Sequence, residues 1–84
     1  MIPNIDTVLN KYGWKAEYIP GGAREIKIFN RKGNHAFTIK HWKLTYVFTD
    51  TGGNKILSGR GQLNKSLEKV LTQYYYCQPL TETI

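Results

Sequence analysis

Two histidines six residues apart, His35 and His41, are the only pair in this chain of 84 residues that could trade a proton across a phosphodiester, one as base and the other as acid. The six carboxylates, Asp6, Glu17, Glu25, Asp50, Glu68 and Glu82, stand singly, so neither a paired-acid motif nor an HExxH metal helix can form. Cys77 follows the run Tyr74-Tyr75-Tyr76, a poor place for a preorganised nucleophile. A metal site needs three or four ligands at close spacing, and two histidines with one distant cysteine do not supply them. His41 shares strand parity with Phe37 and Ile39 and so reads as a packed structural histidine. The expectation is a protein that is not an enzyme and carries no metal or cofactor.

Charge gives the stronger signal. Arg24, Lys27, Arg31, Lys32, Lys40 and Lys43, opposed only by Glu25, place five of the six formal net positive charges within one stretch, with Phe29, Phe37 and Trp42 threaded among them. A basic ribbon bearing aromatics suits a polyanion such as nucleic acid. Arg60 extends the set. It lies between Gly59 and Gly61, where backbone N–H groups could meet a phosphate ahead of a helix. The spacing lacks both GxGxxG and GxxxxGK, so a glycine turn is the plainer reading, although a mere turn needs no cation. If exposed, Phe29 or Trp42 could stack on a base or a partner's surface. The candidate site is therefore Arg24, Lys27, Arg31, Lys32, Lys40, Trp42, Lys43 and Arg60. Arg31 and Lys32 fall at a loop tip, where substitution is expected to leave stability nearly untouched.

These residues need a scaffold, and hydrophobic spacing supplies one. Ile5, Val8, Leu9 and Tyr12 follow helical spacing, with Asn4 as N-cap and Gly13 at the left-handed C′ position. Trp14, Ala16 and Tyr18 alternate as a strand, Pro20-Gly21-Gly22 reads as a turn, and Ile26 and Ile28 continue on the core side of a second strand. Asn30 to Asn34 is a hairpin loop with Gly33 at positive φ, and His35 to Lys40 returns. Phe37 and Ile39 are odd-numbered, whereas Trp42, Leu44, Tyr46 and Phe48 are even, so a bulge or turn near His41 must separate two strands. Leu44 to Thr49, a Thr51-Gly52-Gly53-Asn54 turn and Lys55 to Ser58 make a second hairpin. Leu63, Leu67, Val70, Leu71 and Tyr74 mark the inward stripe of a last helix, with Lys65, Lys69 and Gln73 facing out. No internal repeat is visible in the sequence.

The fold class expected is α+β: an antiparallel sheet of four to five strands, with an N-terminal and a C-terminal helix packed on one face. The other face, bearing Lys27, Lys15 and Lys43, stays open. Residues 1–77 form a single domain and residues 78–84 a flexible tail. A chain of this size buries roughly 60–65% of its unfolded surface, so most large apolar side chains are needed for the core. A single cysteine fits a reducing compartment. The start of the chain does not read as a signal peptide, and no stretch approaches the ~20 apolar residues of a membrane span. A cytoplasmic protein, monomer or weak homodimer, without membrane contact, is expected.

Val8-Leu9-Asn10-Lys11-Tyr12-Gly13-Trp14, followed by the Gly21-Gly22 turn and the basic hairpin, resembles the HicA toxins, small mRNA interferases with a double-stranded-RNA-binding-like α-β-β-β-α fold. The resemblance covers about the first 40 residues and implies topology. Where that family carries its catalytic histidine this chain has Ala23-Arg24, so nuclease activity is not implied. The stretch from Trp14 to Gly61 is longer than three strands require. Where double-stranded-RNA domains carry a lysine pair, this chain has Asn64 and Lys65. Two functions follow as expectations. The first is a non-catalytic module contacting DNA or RNA phosphates through the 24–43 hairpin. The alternative is a phage or mobile-element inhibitor, anti-CRISPR-like, that covers an acidic surface of a host nuclease or nucleoprotein complex.

Overall fold

A computed structural model describes residues 4–19 and 24–80. The proposed Pro20-Gly21-Gly22 turn lies outside the described residues. Helix α1 (Asp6–Tyr12) is followed by strands β1 (Lys15–Ile19), β2 (Glu25–Phe29), β3 (His35–Trp42), β4 (Thr45–Asp50) and β5 (Lys55–Arg60), then by helix α2 (Leu63–Lys69) and a π-helical turn, α3 (Val70–Tyr74). The strands form one antiparallel sheet in the order β1-β2-β3-β4-β5, a meander in which each strand pairs only with its neighbours in the chain. No described helix is long and apolar enough to cross a membrane.

The N-cap of α1 is Ile5 and not the expected Asn4; Asn4, one residue earlier, supports the helix start with its Oδ1 accepting a hydrogen bond from the Asp6 N–H at 3.0 Å. Its end is a Schellman motif. Gly13 at φ 76° lets its own N–H reach Asn10 and that of Trp14 reach Leu9, which satisfies carbonyls the last turn leaves free.

Strand alternation then sorts the side chains. Tyr18, Ile26, Ile39, Phe48 and Leu57 make one registered row facing the helices, and His41, Tyr46 and Gly59 make another. Both helices lie on this face: Ile5, Leu9 and Tyr12 of the first and Leu63, Leu67, Val70 and Leu71 of the last join one core with Ile26, Ile28, Phe37, Ile39 and Phe48. Phe37 is the hub, stacked between Phe48 at 5.7 Å and Tyr75 at 5.4 Å. The helices are tied by Glu68, whose Oε2 accepts from Tyr12 Oη at 2.8 Å and pairs with Lys11 Nζ at 2.7 Å.

Three further details differ from the sequence reading. The change of apolar parity near His41 is a turn, as expected, formed by Lys43-Leu44 between β3 and β4; what differs is that β3 runs on two residues past Lys40, through Trp42. Trp42 and Leu44, grouped by parity with the buried Tyr46 and Phe48, are consequently 50% and 58% exposed. At the C-terminal end, Thr72 Oγ1 donates back to the Glu68 carbonyl and the Tyr75 N–H reaches Val70, five residues back. This π-turn inserts one residue into the helical rotation. Tyr74, expected on the inward stripe, is half-exposed, and Tyr75 enters the core against Trp14 and Phe37 with its hydroxyl on the Ala36 carbonyl. Lastly, residues 78–80 are not free. The Leu80 N–H donates to the Lys11 carbonyl at 2.8 Å, and the Gln78 carbonyl accepts from Arg31. The rest of the expected tail, 81–84, lies outside the described residues.

The two long hairpin loops share one geometry. In Asn30–Asn34 the Asn30 Oδ1 accepts from the N–H groups of Lys32 and Asn34, and in Asp50–Asn54 the Asp50 Oδ1 accepts from those of Gly52 and Asn54. Each loop places a glycine, Gly33 or Gly53, at φ near 85° and is followed by a register shift one strand residue later. These donors hold the Asp50 carboxyl below its usual pKa, the Asn54 backbone N–H foremost.

Candidate nucleic-acid interface

The face opposite the helices carries Glu17, Lys27, Thr38 and Thr49 in one registered row, and Ile19, Glu25, Lys40, Val47 and Ser58 in the next. Beyond them, at one end, lie Trp42, Thr45 and Arg60. Register thus decides which of the eight candidate residues meet. Lys40, Trp42 and Arg60 share the open face, Lys43 sits in the adjoining turn, and the Arg24 carbonyl receives the His41 N–H at 3.2 Å. Five candidates therefore gather at this turn end of the sheet. Adjacent strands lie about 4.8 Å apart, so the backbones of Trp42 and Arg60 stand about 10 Å apart, with Lys40 about 6.6 Å further along β3 from Trp42. Lys27 lies farther in on the same face, between the cross-strand Glu17 and its own-strand neighbour Glu25.

Arg31 and Lys32 are not part of this group. They occupy the β2–β3 loop at the other end of the sheet, and His35 to Trp42 alone spans roughly 23 Å. The Arg31 guanidinium, although exposed, is engaged by main-chain carbonyls of the protein: Nε donates to the Tyr12 carbonyl at 2.8 Å and Nη2 to the Gln78 carbonyl at 2.7 Å. It bridges the end of α1 and the C-terminal segment, so the loop-tip picture that led to an expectation of nearly untouched stability does not describe Arg31, and its removal is predicted to destabilise. The signal was present in the spacing of neither residue, because the partners are main-chain carbonyls distant in sequence. Lys32 lines a separate depression of about 480 Å³ with Trp14, Asn34, Tyr76 and Cys77.

Among the described residues the one ion pair is Lys11–Glu68, so none of the turn-end cations has a carboxylate within ion-pair distance. Backbone strain collects at the same place. Arg24, Lys43 and Gln62 adopt φ of 51°, 50° and 24°, three of the four non-glycine residues at positive φ among the described residues. A lysine in the first position of a two-residue hairpin turn sits where glycine or asparagine is favoured, and such outliers are found disproportionately at functional sites. The turn is braced nonetheless: Thr45 Oγ1 donates to the Trp42 carbonyl at 3.0 Å and the Gly61 N–H to the Leu44 carbonyl at 2.7 Å.

Gly59-Arg60-Gly61 resolves into three separate reasons. A Cβ at Gly59 would stand 2.7 Å from the Tyr46 hydroxyl, whose ring crosses β5 to bond Ser66 Oγ at 2.6 Å. Gly61, at φ 72°, makes the turn into α2, and Arg60 projects from β5 into solvent. The seven-residue α2 offers no developed helix terminus for a phosphate.

The two histidines lie on opposite faces of the sheet. His35 pairs in register with Phe29, lies 5.5 Å from its ring, and its Nε2 meets Thr38 Oγ1 at 2.9 Å. His41 is buried against the helices, with Nδ1 lacking a hydrogen-bond partner, and burial together with the nearby Arg24 holds its pKa below the usual histidine value. The Cys77 thiol is pushed up by burial, against the pull of Arg31. Among the described residues no three His, Cys, Asp or Glu side chains come together where they could hold a metal. No family model, curated protein or solved structure matches this chain.

Proposed function

We propose that this protein is a non-catalytic nucleic-acid-binding module whose contact surface is the turn end of the sheet. The observation that carries the reading is that Lys43 and Arg60 line one recess with an exposed Trp42, with Lys40 on the same face and the Arg24 backbone at the same end of the sheet, on a turn that is strained at Lys43 but braced, and without a carboxylate in ion-pair reach among the described residues. Cations on phosphates position a protein without reading sequence. The separation of His35 from His41 and the raised thiol pKa of Cys77 support a binding role over a catalytic one.

Four phosphate contacts give a log K against log salt slope of about −3 to −4. Replacing Lys43 and Arg60 together with Ala flattens it by about 1.4 to 1.8 units, while Lys32→Ala leaves it unchanged. Equal slopes for wild type and the double variant, or no binding at ~50 mM salt, would refute the assignment. One observation favours the inhibitor reading instead. Leu44 is more exposed than Trp42 beside it, and an apolar pair ringed by cations also suits a pocket on an acidic protein. A host protein retained in stoichiometric amount after nuclease treatment would select that reading.

A further inference from the structure

We infer that the Lys43-Leu44 turn, with Trp42 and Arg60, is a site for one unpaired nucleotide, which makes single-stranded nucleic acid the ligand class. This rests on the nucleic-acid reading above and goes further by specifying strandedness. Trp42, Lys43, Leu44, Thr45 and Arg60 line an open depression of about 410 Å³, within the ~300–1,000 Å³ of small-ligand sites. An aromatic face, an aliphatic side chain and two cations in one recess match the parts of a nucleotide: a planar base and the phosphates flanking it.

The arrangement discriminates between single strand and duplex. A duplex conceals the faces of its bases and offers a phosphate track, and stacking on Trp42 then contributes nothing. The cations do not form one continuous track: Glu17 and Glu25 flank Lys27 on the open face and separate the turn-end cations from Lys15 and Lys55 at the far end. A few phosphate contacts combined with one exposed indole is the composition of a single-strand site, in which stacking supplies affinity without sequence preference. Phe29, the other open-face aromatic, is half-buried beside His35 and is not comparably available. Because Thr45 and Gly61 fix the turn by hydrogen bonds, the recess is formed before a ligand arrives, which lowers the ordering cost of binding. Lys43 adds a separate sign. At φ 50° a glycine would relieve strain, so the lysine is held there at a cost to the fold.

The test is fluorescence anisotropy with a labelled oligothymidylate of about 12 nucleotides, the same oligomer with abasic positions, and a blunt duplex of equal length. The wild type is expected to bind the intact single strand at least about 5-fold tighter than the abasic one or the duplex, with quenching of indole fluorescence. Trp42→Ala should lower single-strand affinity roughly 5- to 150-fold while leaving duplex binding and the salt slope alone, and Trp42→Phe should recover part of the loss. Lys43→Gly should weaken binding while raising the melting temperature, an outcome a purely structural lysine would not give. Equal binding of intact and abasic strands, or an unaffected Trp42→Ala variant, overturns the stacking site while the nucleic-acid reading survives on its salt slope. Absence of binding to all three probes at ~50 mM salt overturns both.

Discussion

Removing the Arg31 side chain should destabilise the protein substantially although the residue is exposed in a hairpin loop. Its guanidinium makes two hydrogen bonds to main-chain carbonyls, 2.8 Å to Tyr12 and 2.7 Å to Gln78, and its stem packs against Gly13. Hydrogen bonds from charged donors contribute about 1.5–3 kcal/mol each when shielded. The Gln78 bond is exposed and counts for less, so Arg31→Ala is expected to cost about 2 kcal/mol in all. A domain of this length has roughly 4–12 kcal/mol of total stability. Each kcal/mol shifts its midpoint by about 4–8 °C, which gives a fall of about 8–16 °C in thermal unfolding followed by circular dichroism. Arg31→Lys should recover less than half, because an ammonium cannot span two carbonyls as the planar fork does. Lys32→Ala, one residue on, should stay within about 0.5 kcal/mol of wild type. If Arg31→Ala melts within a degree of wild type, water replaces both bonds at no cost and the bridge is not a structural element.

The π-turn makes an opposite pair of forecasts for adjacent tyrosines. Tyr75→Ala should cost about 3 kcal/mol in denaturant unfolding through loss of the contacts to Trp14 and Phe37, while Tyr74→Ala should be near neutral; the reverse order would restore the uninterrupted helical stripe. His41 should make the fold pH-sensitive. Its folded pKa is lowered, so it contributes nothing above its unfolded value of about 6.5, and below that value the unfolded chain takes up a proton that the buried imidazole resists. Stability should therefore fall as pH drops through about 6.5 towards the folded pKa, before the carboxylate window, and a His41→Leu variant should lack this slope. A wild-type melting temperature flat between pH 7 and 5 would contradict the burial.

Period and punctuation disclosed most of the architecture. Ile26, Ile28, Phe37 and Ile39 declared a core face, and Gly13 and Gly33 occupy the positive-φ positions expected of them. What stayed hidden depended on one-residue shifts. Tyr74 and Tyr75 are indistinguishable by composition, and only the back-bond from Thr72 and the π-turn decide which one is buried. Trp42 and Leu44 fit the buried parity equally well until the turn between them is placed, since a two-residue turn reverses which parity faces inward. The repeated loop was written twice, as Asn30-x-x-Gly33-Asn34 and Asp50-x-x-Gly53-Asn54, but its likeness lies in Asx hydrogen bonding and not in shared hydrophobics. The candidate site was half legible. A count of cations finds Arg24, Lys40, Lys43 and Arg60, whereas exclusion of Arg31 needed the distant carbonyls of Tyr12 and Gln78.

The nearest-neighbour strand order also has a kinetic meaning. Each described hairpin closes across two to five residues, so the sheet can zip from its two Asx loops without any distant segment having been found first. The bonds between Tyr12 and Glu68, 56 residues apart, and between Leu80 and Lys11 are among the long-range closures, and they seal the helical layer over a sheet whose pairing is already local. The expected consequence is a folding rate governed by hairpin zipping and a folded-state lifetime governed by the latch between the helical ends. A chevron in which Tyr12→Phe steepens neither arm but raises the unfolding rate alone is the signature of that division.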